Sequence, residues 1–499
     1  MMDLKCGDST ILHSCRTILI LILSGVFLPV SGTITLFAIA LQTLHIRQAP
    51  RRHVRNIGGS QPRILVTGVK MAKGLFLART MYLGGCDIVA GDFDDGHGNI
   101  YCGRFSRSIR KFFALKNPAV YGIEAYISQV VNIVNFERID LWISCSGVAT
   151  AVEDAMLANA IERKTKCKVF QFDESTVSTL DNKFEFMKKT TELKLANVKW
   201  YALSSLNGIR ILLKKMRKTT KDELDVRYMI KSANMDDASR GSLPLISLQD
   251  EAHAEQTLSN LDFSNGRQWI LQEFIDSGEE YCTHALIIKG EVRAFTACPS
   301  ASVLMHYQRL DTKSVLYNKM LEFTINYASG LGDITGHMSF DFLVRYRSTE
   351  NGFIGTLAPI ECNPRCHTAT VLFEGLEQEL ADKYLECLTR VPAGQLLHAT
   401  TESESGYYWM AHDLVVLVAG SLWGLLFGTA DVNRSSLVQQ ILLAIRNLCT
   451  WRDPTFVWWD PLPWFVLNHL FWPLELILAT YCGLRWKEIN VSTAKIFKA

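Results

Sequence analysis

The residues of this chain whose types and spacing suggest chemistry lie between Lys183 and Arg365. The densest group is Ile360-Glu361-Cys362-Asn363-Pro364-Arg365, preceded by Ser339-Phe340-Asp341-Phe342. Side chains two apart in a strand point the same way, so Glu361, Asn363 and Arg365 are expected on one surface. With Asp341 from a neighbouring strand they form an oxygen-rich set of the kind Mg²⁺ prefers, and the guanidinium can grip a phosphoryl group at two points. No histidine or thiolate set is expected nearby to compete for zinc. Taken alone, ExNxR is better read as a solvated strand with ordinary ion pairs. Two lysines upstream change that balance: Lys183 in Leu180-Asp181-Asn182-Lys183-Phe184 and Lys231 in Tyr228-Met229-Ile230-Lys231-Ser232. Each stands where a strand or helix can aim an ammonium at phosphate oxygens.

Several elements must position these groups. An apolar strand, Trp269-Ile270-Leu271-Gln272-Glu273-Phe274-Ile275, runs into a linker and then Gly278-Glu279-Glu280. Such a crossover can offer backbone groups to adenine and a carboxylate to ribose hydroxyls. Strand patterns at 228–231, 269–274, 283–289, 291–298, 337–344 and 354–362 alternate with helical ones, with hairpin punctuation at Lys289-Gly290-Glu291. This texture suits two α+β subdomains closing on a ligand. Earlier in the chain, RILVTG at 63–68, helical spacing over 71–82 and CDIVAGD at 86–92 read as a βαβ unit. Strands at 139–144 and 168–172 extend it toward an open parallel sheet of Rossmann type. The turn Thr67-Gly68-Val69-Lys70 lacks GxGxxG, so no dinucleotide is assigned to it, and the sheet is expected to serve as a structural lobe and substrate-site wall.

Composition narrows the class. With 499 residues the chain exceeds one ordinary core, so two or three lobes are expected. Lys+Arg 52 against Asp+Glu 50 leaves a formal net charge of +2, which argues against a nucleic-acid binder and for a small-molecule partner. Thirteen cysteines without a CxxC pair suit reduced thiols. Residues 17–41 are an uncharged apolar run long enough to cross a bilayer. Arg47, Arg51, Arg52 and Arg55 follow it, which places the rest of the chain in the cytoplasm by the positive-inside rule and differs from a cleavage site. Pro29, Ser31 and Gly32 leave open a re-entrant pair of half-helices. Residues 414–430 and 456–483 are apolar again. There Trp458, Trp459, Trp464 and Trp472, among Pro461, Pro463 and Pro473, fit either a lipid-headgroup belt or packing on the protein's own lobes. Sequons at Asn433 and Asn490 matter only on a luminal face.

The order of two lysines, a QEFI hinge, Glu, Asp and ExNxR resembles the ATP-grasp superfamily, which includes biotin carboxylase and D-alanine ligase. The match is similar above all to the mycosporine-glycine synthase family, which attaches glycine to 4-deoxygadusol, and to fungal secondary-metabolite ligases of the fumisoquin type. The segments that carry it are 68–79, LDNKFEF at 180–186, WILQEFIDSGEEYCTH at 269–284, SFDF at 339–342 and IECNPRCHTA at 360–369.

The resemblance implies an ATP-grasp fold, α/β plus α+β. Hydropathy and charge add a tail at 1–16, a transmembrane or re-entrant anchor at 17–45 and a basic linker at 46–62. A Rossmann-like lobe at 63–175, an ATP-grasp domain at 176–395 and a membrane-associated region at 396–499 follow. The resemblance also implies an ATP- and Mg²⁺-dependent ligase, with Mn²⁺ as a substitute. Its partners would be an amine, a carboxylate or enolisable carbonyl acceptor, and membrane lipid at the N-terminal segment.

The same resemblance gives Lys183 and Lys231 as phosphate ligands, Gln272, Glu273, Phe274 and Ile275 as the adenine hinge, and Glu280 as the ribose acceptor. Asp341, Glu361 and Asn363 would hold the metal, and Arg365 and Lys231 would act in catalysis. His284, His367 and Arg240 are secondary substrate candidates. The loop 232–242 departs from the glycine-rich phosphate lid of many superfamily members. Two other readings remain: a peptide-type ligase acting on another biosynthetic carboxylate, and a non-catalytic nucleotide-binding membrane scaffold.

Overall fold

A computed structural model describes residues 10–46, 50, 52, 55–94, 100–145, 150–196, 198–217, 226–233, 245–247, 250–264, 268–275, 279–300, 306–349, 352–389, 394–400, 406–409, 439, 442, 445–447, 449–490 and 495–498. It is a mixed α/β chain that divides into two compact units: residues 1–171, 300–309 and 365–499 form the first, 172–299 and 310–364 the second. Residues 414–430, Arg240 and Asn433 lie outside the described residues.

The first unit opens with α1 (Thr10–Thr43). It is one unbroken helix with Pro29 inside it, so the two half-helices of a re-entrant hairpin are not formed. Residues Thr17–Thr43 are long and apolar enough to cross a membrane by length and composition, as is the helix Leu462–Tyr481, though the latter is largely buried. A leader sequence passes the same test. Trp486 Nε1 donates to Thr17 Oγ1 at 3.0 Å, and Phe37 meets Trp458 edge-on.

A parallel sheet follows: β1 (Arg63–Thr67), α2 (Ala72–Leu83), β2 (Asp87–Phe93), β3 (Lys111–Leu115), a short α3 (Pro118–Tyr121), α4 (Ile123–Glu137), β4 (Leu141–Ser144), α5 (Ala151–Lys164) and β5 (Lys168–Phe170). The strand order is β3-β2-β1-β4-β5, with Val66 beside both Ala90 and Ile143. Apolar runs such as Ile64-Leu65-Val66 are buried on both faces, as parallel strands covered by helices require. Leu65, Trp142, Val130, Val134, Leu157 and Ile161 build the core under α4 and α5. Gly74 lets α2 approach the turn after β1, for a Cβ there would lie 2.2 Å from the Gly68 carbonyl oxygen. In that turn the Lys70 amide donates to Asp92 Oδ2 at 2.6 Å, so the acid ending β2 locks the loop.

The second unit begins with α6 (Glu174–Asp181) and α7 (Lys183–Glu192). Asp173 caps α6 and Asn182 caps α7, each accepting backbone amides of the first turn. Next come β6 (Trp200–Leu203), α8 (Leu206–Arg217), β7 (Arg227–Ser232), β8 (Leu245–Ser247), α9 (Glu251–Ser259) and β9 (Trp269–Glu273), forming an antiparallel sheet in the order β6-β9-β7-β8. A second sheet holds β10 (Glu279–Ile288), β11 (Glu291–Pro299), β12 (Gly336–Thr349) and β13 (Gly352–Asn363), with α10 (Val315–Leu331) between β11 and β12 in the chain. Consecutive strands here run β13-β12-β10-β11. Ile288 pairs with Glu291 across Lys289 (φ 51°) and Gly290 (φ 76°), the two-residue turn of positive φ that a twisted hairpin favours. Phe186, Phe323, Tyr327 and Phe340 pack against one another beneath this sheet.

The chain then returns to the first unit through the 3₁₀ turn Thr368–Phe373 and α11 (Glu377–Leu385). The C-terminal tryptophans pack on this unit instead of forming an exposed belt. Trp464 is buried and donates to Asp453, Trp459 stacks on Tyr82, and Trp472 is buried beside Phe471. Arg79 explains part of this attachment. Its guanidinium meets Asp460 at 2.9 Å, with both side chains almost wholly buried, and also donates to the Thr455 carbonyl.

Candidate active site

The second unit assembles its polar groups by strand register. On the first sheet Lys231 pairs with Ile270 and Met229 with Gln272, so these four side chains share one face. The opposite face carries Tyr228, Ile230 and Leu271 into a core with Ile209, Leu213 and Leu258 of α8 and α9. The sheet thus has one closed apolar face and one that presents Lys231 and Gln272. On the second sheet Asp341 lies opposite Glu361 and Ser339 opposite Asn363, which puts the three expected metal ligands on one face. Cys282 of β10 pairs with Asp341, so Glu280, two residues earlier, points the same way.

These groups interact. Asn363 Nδ2 donates to Asp341 Oδ2 at 2.9 Å, and the amide oxygen of Asn363 is itself a hard donor. Lys183, at the start of α7, lies 3.4 Å from Glu361 Oε2. Lys231 is drawn into the same cluster. Burial pushes its ammonium down to about 8, Glu361, Glu280 and Asp341 pull it back up, and Lys183 pushes it further down. Lys231 is therefore acted on by a second cation and three carboxylates of its own unit, all of them expected site residues.

The donor set suits a hard divalent ion and a polyphosphate. Two carboxylates and an amide oxygen are the ligands Mg²⁺ takes, and two lysines complement phosphate oxygens. A further observation supports an occupant with hydrogen-bond acceptors. Gln272 is 3% exposed, and its Nε2 has no hydrogen-bond partner among the described residues. A buried amide donor left unpaired is unfavourable, and a purine offers ring nitrogens to receive it.

Other expected residues stand differently. Glu273 faces away from Gln272: its carboxylate pairs with Arg345 at 2.5 Å and accepts from the Lys199 amide. The amides of Glu273 and Phe274 donate to the carbonyls of Lys199 and Arg227, so neither N–H is available to a base. Arg227 lies over the Phe274 ring, and Ile275 is buried. Arg365 does not extend the Glu361 and Asn363 alternation. The strand β13 ends at Asn363, Pro364 closes it, and Arg365 opens the returning segment of the first unit. His367, in that segment, accepts the Ala369 amide through Nδ1 and so caps the 3₁₀ turn. His284 is fully buried and stacks on His337 at 5.5 Å. Alternation along His337-Met338-Ser339-Phe340-Asp341 puts His337 on the carboxylate face, and β10 puts His284 and Cys282 there too. Two histidines and a thiol thus share the face of the carboxylates, the Cys282 thiol lying 3.4 Å from Cys298 Sγ. The polar-apolar alternation of 337–341 was the signal for His337. Arg345 gave no such signal, because its partner is far away in the chain.

No family model matches the chain, and no curated protein matches it. Solved structures do. One is the biotin carboxylase domain of Hydrogenobacter thermophilus 2-oxoglutarate carboxylase, with MgADP, ADP and bicarbonate: TM-score 0.45, 12% identity, covering 67% of this chain and 71% of that one. A second is N5-carboxyaminoimidazole synthetase from Staphylococcus aureus: TM-score 0.46, 10% identity, 67% and 79%. A third is carboxyaminoimidazole ribonucleotide synthase from Aspergillus clavatus complexed with ATP: TM-score 0.45, 13% identity, 68% and 79%. At these scores the likeness is distant.

Proposed function

We propose that this protein is an ATP- and magnesium-dependent carbon–nitrogen ligase of the ATP-grasp type, with residues 63–175 as its leading lobe and 176–395 as its ATP-grasp domain. One observation supports this above the others: Lys231 is held simultaneously within the influence of Glu361, Lys183, Glu280 and Asp341. An ordinary solvated strand would not hold a half-buried ammonium among three carboxylates and a second ammonium.

In this reading Lys183 and Lys231 bind phosphate oxygens of ATP, Gln272 donates to the base, and Glu280 accepts from ribose. Asp341, Glu361 and Asn363 would hold magnesium, which would neutralise charge on the phosphates. The Lys183–Glu361 ion pair, 3.4 Å apart, would give way to the ligand, leaving Lys183 to bind phosphate and Glu361 to serve among the residues that would hold the ion. An oxygen of the acceptor attacks the terminal phosphorus, ADP departs, and Arg365, two residues beyond Asn363 in the chain, meets the charge on the transferred group. The amine then adds to the activated carbon and inorganic phosphate leaves.

For the substrates we take the mycosporine-glycine-like pair, glycine and a vinylogous acid such as 4-deoxygadusol, which the motifs at 180–186, 269–284 and 360–369 favour. We further assign α1 to a membrane, with the basic residues Arg51, Arg52 and Arg55 on the cytoplasmic side. Ile18, Ile22, Val26, Val30 and Leu36 are all exposed along it, as lipid contact requires. The test is release of ADP and phosphate with glycine plus 4-deoxygadusol, followed by the mass of the product. ADP with other amine and carboxylate pairs only would move the reading to a peptide-type ligase. Nucleotide binding with no ADP from any pair would leave a scaffold.

A further inference from the structure

The first unit buries a cation that the ligase reading leaves unused. Lys73 sits in the first turn of α2 and is 4% exposed. Its Nζ donates to the Cys366 carbonyl oxygen at 2.8 Å. The charged or titratable groups around it are Cys366 and Arg365 of the returning segment, Cys145 after β4 and Asp92 of β2. None of them forms an ion pair with Lys73 among the described residues. Burial accordingly pushes the ammonium down, and Arg365 pushes it further. A buried, unpaired ammonium is unfavourable for stability, and methionine of nearly the same length would fill the space. Its distinctive contribution is the charge-assisted bond to one backbone carbonyl.

That carbonyl belongs to the residue after Arg365. On one side of Arg365 the ring of Pro364 fixes the backbone. On the other, Lys73 fixes Cys366, and His367 caps the next turn through Ala369. We propose that Lys73 is a positioning residue: it anchors the Arg365–Cys366 peptide so that the guanidinium is presented in one orientation. The proposal rests on the role given to Arg365 in the ligase reading. It assigns a task to a residue in the 68–79 segment, where a lysine beside a βα turn would otherwise be taken for a phosphate ligand.

Two variants test it, Lys73→Met and Lys73→Gln, the second keeping a donor. With ATP, glycine and 4-deoxygadusol, Lys73→Met should lower kcat roughly a hundredfold, the effect of a displacement near 1 Å. KM for ATP should stay within about twofold and Tm should hold or rise, since a buried charge has been removed. Lys73→Gln should recover a substantial part of kcat. Hydrogen exchange supplies a readout free of substrate: in Lys73→Met the amides of 365–369 should exchange faster while those of β1 and β4 do not. A wild-type kcat in Lys73→Met would overturn the proposal. So would equal losses in both variants, or a fall in Tm that tracks the loss of rate, because either would make Lys73 a fold-holding residue. If the wild-type protein forms no ADP, the ligase reading fails by itself, and unchanged exchange in 365–369 then separately overturns the anchor.

Discussion

The half-buried ammonium of Lys231 makes nucleotide binding depend on pH in a way that can be worked from its surroundings. Burial brings it down from 10.5 to about 8 in the ligand-free protein. At pH 7 about nine molecules in ten carry the charge and at pH 9 about one in ten, so if the ammonium form alone engages phosphate, affinity falls about tenfold, or about 1.4 kcal/mol. ATP·Mg binding followed by calorimetry between pH 7 and 9 reads this directly. Lys231→Arg, whose guanidinium keeps its proton throughout, should give a flat profile. Stability should move the opposite way. Between about 8 and 10.5 the unfolded chain holds more protons than the folded one, so the ligand-free protein should grow more stable as pH rises through that window. The shift sets an upper bound of about 3 kcal/mol on the gain. A dissociation constant for ATP·Mg that is the same at pH 7 and pH 9 in the wild type would refute the assignment of Lys231 to phosphate.

Glu361→Ala should weaken Mn²⁺ binding in the presence of ADP by about tenfold or more, read by calorimetry, and should abolish ADP formation without lowering Tm; full activity in this variant would remove Glu361 from the metal site. The Arg79–Asp460 pair, 4% and 0% exposed, should behave as a buried ion pair in urea unfolding. Arg79→Met alone should lose about 3–5 kcal/mol, and Arg79→Met with Asp460→Leu should regain part of it, the Ser106 hydroxyl and Arg107 amide having lost their acceptor, whereas strictly additive losses would contradict the pairing. Ile22, Val26 and Val30 are exposed at 57%, 63% and 57%. Changing all three to Lys should strip the protein from membranes washed at high pH, since each charge at a helix centre costs about 2.5–3.5 kcal/mol in lipid; retention at the wild-type level would argue against α1 as an anchor.

Where local pattern and long-range pairing agree, the sequence was readable. The Lys289-Gly290 turn, the β-branched run at 63–67 and the alternation through 337–341 each encode geometry within a few residues, and the carboxylate face follows from that alternation alone. The remainder depended on partners distant in the chain or on signals with two causes. Pro29 reads as a break, yet an apolar, largely exposed helix accommodates it. Tryptophans between prolines have the same composition whether they face lipid or a core, and the Asp453 acceptor for Trp464 decides in favour of the core. Short strands such as β6 and β8 show too few alternations to stand out. Arg365 was carried along by strand periodicity past a proline that stops the strand.

The segment 68–79 carries two buried cations whose partners lie far away in the chain. Lys73 and Arg79 lie six positions apart, about 240° around a helix, on an α2 whose side chains are nearly all buried. One reaches the carbonyl of Cys366 and the other reaches Asp460 and Thr455, so a single helix next to the first strand ties down two segments from the far end of the chain. Neither partner is within reach of sequence periodicity, and both cations would look like ligand binders beside a βα turn. If α2 is a fastening element, substitutions at its two cations should separate cleanly. Loss of Arg79 should be read in unfolding free energy because it strands a buried carboxylate, and loss of Lys73 should be read in rate because it strands nothing charged. The difference follows from what each cation is bonded to: a carboxylate in one case, a neutral carbonyl in the other.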